Sequence, residues 1–235
     1  ARNRPPADHV RSDHPTDGFL APLLTHQRQL EETLIAEFGE IPLRPRIDVG
    51  QWFRRLNAFG HDQDPARRIN CSDARRSLVD TYFGRPRVAA PTVRSAYDNR
   101  NATEVRHPGG LRGVDDEWTG GRFQEVVPFQ FDNPPGSAAA EQALRDGVDR
   151  ITAALHTAGD GSLAMISTAW RQGSGHAWAA INQGGTIYWV DPQNGERMTT
   201  FPFGTDRVLF LDMVVLSPDG GPVPVHGLPI SYFSE

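Results

Sequence analysis

Apolar positions along this chain keep a helical period in the first half and a strand period in the second. Leu20, Leu23, Leu24, Leu30, Leu34, Ile35 and Phe38 fall mostly on one helical stripe, with Thr16 or Asp17 as a cap and Gly39 as a stop. Pro42 and Pro45 interrupt the chain before a short amphipathic piece around Trp52, Phe53 and Leu56. A further helix follows from Ala74, Leu78 and Tyr82, bounded by a cap at Asn70 or Ser72 and a stop at Gly84. Residues 85–136 are rich in Pro, Gly, Arg and Asp and read as loops, apart from a strand-like piece over 125–131. Ser137 then opens a helix whose stripe is Leu144, Val148, Ile151 and Leu155, ending near Gly159. Beyond it, residues 162–168, 176–181, 186–190 and 208–216 are rich in β-branched and aromatic side chains and separated by turn residues, which predicts strands. Helices followed by an antiparallel sheet make an α+β fold.

The length of 235 residues allows one core, with residues 1–16 as a polar, loosely held arm. A net charge of -5 gives no general attraction to phosphate, so nucleic acid is not an expected partner. The local concentration of Arg44, Arg46, Arg54, Arg55, Arg67, Arg68, Arg75 and Arg76 reads as solvated helix faces and carboxylate partners. No apolar run reaches the length of about 18 residues that membrane insertion needs. Cys71 is the single cysteine, which excludes an intramolecular disulfide and a thiolate zinc cluster. The histidines form no HExxH pair and no phosphate-binding glycine motif opens a helix, so neither metal nor cofactor is expected.

Three residue types needed for thiol chemistry each stand at the end of a predicted element. Cys71 lies in the first turn of its helix, where the dipole and the unpaired N–H groups of a helix start favour a thiolate. His176 opens one strand and Asp191 closes the next. The short turn over Asn182, Gln183, Gly184 and Gly185 would bring the carboxylate back beside the imidazole to fix its tautomer. Gln193 could donate its amide to a developing oxyanion together with the backbone N–H of Cys71, and Asn70 is a second residue suited to orienting substrate or oxyanion. Trp178 shares a strand face with His176 and is a candidate to shield the imidazole or line a cleft. The glycines at 173 and 175 let the backbone turn into the His176 strand, and Ser174, pointing to the opposite face from His176, is a poor nucleophile. Each residue also has a plainer reading: a small buried cysteine, a structural histidine and an Asp-Pro strand exit. The chemistry supports thiol acyl transfer in general, since amide hydrolysis, deamidation and transglutamination share one tetrahedral intermediate. A catalytically silent partner-binding module is the alternative from another class.

Two stretches, "RRINCSDARRSLVDTYFGRPRVAAP" and "GHAWAAINQGGTIYWVDPQNG", resemble the papain-fold toxin domains known as protein glutamine amidases or deamidases, found at the C-termini of bacterial polymorphic toxins. The resemblance runs from about residue 60 to 216. It implies a papain-like fold with N-terminal helices packed on an antiparallel sheet, an arm and helical extension over 1–58 and a catalytic domain over 59–235. It further implies Cys71 as nucleophile, His176 as general base and acid, Asp191 as the residue orienting it, and Gln193 as a helper. The implied substrate is a glutamine of a target protein, and a cognate immunity protein is an implied partner. Export within a larger toxin and action in the cytoplasm of a target cell also follow from it. A papain-like cysteine protease, including one cleaving after a ubiquitin-like tail, is the second enzymatic reading. The stretch 97–136 and the N-terminal helix depart from the family pattern.

Overall fold

The computed structural model describes residues 19–60, 64–92 and 112–231. The predicted arm over 1–16, the caps Thr16 and Asp17, and the first part of the 97–136 stretch lie outside the described residues. The described residues divide into two compact units, one built from those up to Trp118 together with Asp191–Arg197, the other from Thr119–Val190 and those from Met198 onward.

The first unit is helical. Helix α1 (Leu24–Phe38) begins later than the apolar stripe suggests, because Leu23 keeps an extended backbone and supplies no capping side chain. Leu30 and Leu34 are its buried residues, while Leu20, Leu23, Leu24 and Ile35 are exposed, so most of the predicted stripe faces solvent. Polar contacts hold α1 as well: Gln27 donates to Pro86 O at 2.8 Å and accepts from Val88 N at 2.9 Å. Gly39, at φ +83°, takes the left-handed conformation that ends the helix. Helix α2 (Trp52–Arg55) is one turn, and its apolar residues Trp52, Phe53 and Leu56 are fully buried as expected.

Helix α3 (Cys71–Tyr82) is buried at every residue from Ser72 onward. A helix with polar residues on all sides survives such burial when each charge finds a partner. Asp73 accepts from Ala90 N at 2.5 Å, and Asp80 pairs with Arg85 at 2.8 Å and Arg87 at 3.2 Å. Arg75 and Arg76 both bind Asp115, at 2.5 and 2.7 Å, with all three side chains at most 3% exposed. Arg67, Arg75 and Arg76 are therefore buried carboxylate or carbonyl partners, not solvated faces. Asp115 lies on helix α4 (Arg112–Thr119), which stands where the loop reading expected no regular element. Ion pairing with α3 and the buried Trp118 anchor this short helix.

The second unit holds helix α5 (Ala138–Ala158) and, among the described residues, a seven-stranded antiparallel sheet in the order β1-β6-β2-β3-β4-β5, with β7 paired to β6. The strands are β1 (Gln124–Val127), β2 (Leu163–Trp170), β3 (Gly175–Gln183), β4 (Thr186–Asp191), β5 (Glu196–Met198), β6 (Val208–Leu216) and β7 (Pro222–Val223). The strands of two and three residues, β7 and β5, are too short to show a period. Ser137 caps α5 by accepting from Ala140 N at 3.2 Å. Leu144, Ile151 and Leu155 then bury against Ile166, Trp178, Ala180 and Trp189 of the sheet. The helix comes so close to β1 at Gly147 that a Cβ there would overlap Val127 Cγ2 and lie 3.1 Å from Val126 O. Gln183 pairs with Thr186 across a two-residue turn in which Gly184 and Gly185 both have positive φ, the type I′ pattern that matches the sheet's twist. This α+β arrangement is the class that the hydrophobic pattern predicts.

Candidate active site

Cys71 is the first residue of α3, and Ala74 N donates to Asn70 O at 2.9 Å to close the first turn. Asn70 occupies the N-cap position, but its side chain makes no capping bond. The thiol is partly exposed at the end of a helix that is otherwise covered. Burial disfavours the Arg76 cation, yet the charge and hydrogen bond of Asp115, aided by Asp73 and Cys71, outweigh it and raise the guanidinium's pKa.

The segment after β4 joins the same helical unit. Asp191 is 8% exposed and its Oδ1 accepts from Gln193 N at 2.9 Å, while Gly195 N donates to Asp191 O at 2.8 Å. The side chain thereby folds the Asp-Pro-Gln-Asn-Gly sequence into a tight turn. Gln193 is buried, and its Nε2 donates to Asn70 Oδ1 at 3.4 Å. Asn70 is fully buried and spends both amide hydrogens on protein oxygens, Asn57 Oδ1 and Ala90 O, each at 2.8 Å. Its amide therefore braces the helix start, which leaves Gln193 as the side chain whose donor capacity suits an oxyanion.

His176 belongs to the sheet unit. It is the second residue of β3, opposite Thr168 on β2, and is partly exposed. Its ring stacks on Trp170, with centroids 6.3 Å apart and planes at 22°. Arg207 lies over the same indole at 4.9 Å and over Phe203 at 5.0 Å. Trp178 does not line a cleft: it is 0% exposed, donates from Nε1 to Thr168 Oγ1 at 2.8 Å and packs among Trp189, Phe201 and Phe203. Large aromatics on a sheet face bury first against their own cluster, and Trp178 sits in the middle of that face. Trp170 is instead the indole beside the histidine. The β2–β3 turn that delivers His176 has Gly173 and Ser174 at φ +87° and +63°. At Gly175 a Cβ would stand 2.8 Å from Thr168 O, so the strand starts with the close approach glycine permits.

The structure thus gathers Asn70, Asp191 and Gln193 into the unit that carries Cys71, and sets His176 and Trp178 in the sheet unit. Asn57, Asp115 and Trp170 are not singled out by the sequence, and Arg76 is legible there only as one of the clustered arginines. Asn57 had no local signal, since its partners Arg67, Asn70 and Gln193 are distant in sequence. Among the described residues no group of three His, Cys, Asp or Glu is placed to hold a metal ion, and no helix is long and apolar enough to cross a membrane.

A family model described as papain fold toxin 1, glutamine deamidase, matches residues 69–196. That span, more than half of the chain, contains Cys71, His176, Asp191 and Gln193. No curated protein and no solved structure gives a significant match.

Proposed function

The chain belongs to the papain fold toxin 1, glutamine deamidase family, and on that premise we propose that it converts a glutamine of a target protein to glutamate with release of ammonia. The Cys71 thiolate attacks the side-chain carboxamide carbon, forming a C–S bond and a tetrahedral oxyanion. Gln193 and the backbone N–H of Cys71 donate to that oxyanion. His176 as imidazolium protonates the departing nitrogen, ammonia leaves, and a thioester remains. The now neutral imidazole takes a proton from water, hydroxide adds to the thioester, and glutamate and the thiolate are released. Asp191 holds the imidazole in the tautomer this sequence of transfers requires.

The observation that carries the reading is the Gln193 amide reaching the residue immediately before a partly exposed Cys71 at a helix start. The hairpin register supports adding Asp191 to His176. Ala180 pairs with Trp189, so alternation gives His176, Trp178 and Ala180 the same face as Trp189 and Asp191. As a toxin domain, the chain would be delivered as part of a secreted effector and act in the cytoplasm of a target cell, with an immunity protein covering the site in the producer.

Incubating a target-cell lysate with the wild-type protein and with Cys71→Ala, followed by peptide mass spectrometry, tests the assignment. Glutamine-to-glutamate conversions confined to the wild-type sample are expected. New peptide termini in their place would make the domain a protease, and identical peptide maps would remove the enzymatic reading.

A further inference from the structure

Asn57 lies ahead of the family-matched span, in the turn that follows α2, and is 2% exposed. Its amide is used on both sides. Nδ2 donates to Gln193 O at 2.7 Å and to Arg67 O at 3.0 Å. Oδ1 accepts from Asn70 Nδ2 at 2.8 Å and from Arg67 Nη1 at 3.4 Å. One planar group therefore ties together the backbone of the Asp-Pro-Gln turn, the side chain next to the nucleophile and the chain leading into α3. Among neutral side chains this needs a primary amide, which alone offers two donors and an acceptor oxygen in fixed directions.

The backbone around Asn57 shows how firmly the position is held. Ala58 and Phe59, neither of them glycine, sit at φ +52° and +53° in the left-handed region. Consecutive residues adopt that conformation only where the surroundings over-determine it, and such strain gathers at functional positions. Gly60 N closes the turn onto Asn57 O at 2.8 Å, and the Arg55 guanidinium lies 4.3 Å over the Phe59 ring.

We infer that Asn57 is a positioning residue for the deamidation: it fixes the Gln193 backbone against the start of the Cys71 helix, so that the Gln193 amide is already oriented when the oxyanion forms. The inference rests on the deamidase reading and extends the working site beyond the family-matched span. Asn57 touches no reacting atom and acts through Gln193. A preorganised donor contributes to the rate only while its direction is fixed before the reaction.

Asn57→Asp is the selective perturbation. The carboxylate still accepts from Asn70 and Arg67, but it cannot donate and turns an oxygen toward the carbonyls of Gln193 and Arg67. With a blocked glutaminyl-glycine dipeptide as probe and ammonia release as readout, Asn57→Asp should lower kcat by roughly tenfold to a hundredfold with KM within about twofold. In a Gln193→Ala background the same change should cost less than about twofold, because the residue through which Asn57 acts is gone. The rate of Cys71 alkylation by iodoacetamide, which passes through no oxyanion, should not change. Asn57→Ser, too short to span both partners, should repeat the pattern and serves where Asn57→Asp does not fold. An equal loss in both backgrounds, or a folded variant with wild-type kcat, would overturn the inference while leaving the deamidase reading intact. Undiminished ammonia release by Cys71→Ala would instead remove that reading, and the inference with it.

Discussion

Replacing Asp115 by asparagine removes one charge and almost no volume, and it does so between two buried cations. Arg75 Nη2 and Arg76 Nε lie 2.5 and 2.7 Å from its two carboxylate oxygens, and none of the three side chains is more than 3% exposed. Two guanidinium groups would then face an amide that offers a single acceptor oxygen. Breaking a buried ion pair by removing one partner costs about 3–5 kcal/mol, because the remaining charge stays desolvated. Asp73 also attracts Arg76, and the amide oxygen keeps one hydrogen bond, so the expectation for Asp115→Asn is about 3 kcal/mol. Urea is the denaturant to use, since guanidinium chloride would screen the effect under study. With m-values of about 1–3 kcal/mol/M, the midpoint should fall by at least about 1 M, followed by tryptophan fluorescence and far-UV circular dichroism. A matched control replaces Asp115, Arg75 and Arg76 together by Leu, Met and Leu, which should recover most of that loss because both guanidinium groups leave with the carboxylate they share, and only the attraction of Asp73 for Arg76 is given up. A loss below about 1 kcal/mol for Asp115→Asn would refute the reasoning: water would have to reach Arg75 and Arg76, and α4 would not cover α3 as described.

Two further outcomes follow from local geometry. Burial, and then the Arg67 and Arg55 cations, push the His26 pKa below its ordinary 6.5 against the weaker pull of Asp64, and its Nδ1 lies 3.3 Å from Arg67 Nη2. The unfolded chain therefore takes up this proton first, so stability should drop as pH falls from 6.5 toward the folded-state pKa and gain nothing above 6.5. His26→Gln should flatten that slope in urea titrations at pH 7.5 and 5.5; parallel slopes for both proteins would rule the account out. Gly175→Ala places a methyl 2.8 Å from Thr168 O, the strand partner of His176. It should cost about 1–3 kcal/mol in a thermal melt and lower ammonia release by about tenfold to a hundredfold through displacement of the imidazole. Wild-type activity at an unchanged Tm would show that the strand start does not set the histidine's position.

Much of this molecule can be read from neighbours in sequence. The Ser137 cap, the α5 stripe and the Gly184-Gly185 turn all depend on residues a few positions apart, and each stands where the pattern puts it. Capping, helical spacing and turn chemistry act over one or two turns of chain, so they are legible without knowing what packs where. The β5 and β7 strands escaped because two or three residues carry no period.

Other features depend on which surfaces cover which. Leu24 and Ile35 belong to the apolar stripe of α1 yet are exposed, while Arg75 and Arg76, read as solvated faces or carboxylate partners, are buried partners of Asp115, which meets them from 40 and 39 positions away. Trp178 left the candidate cleft for the aromatic core once its neighbours Phe201 and Phe203 were known. Asn57 and Gln193 are 136 positions apart, and nothing within a helical turn of either announces the bond. The free energy of burying a charge or an amide is set by its partners, and the partners are chosen by packing. The residue types of the proposed thiol site are therefore written locally, and the bracing around them is written in the fold.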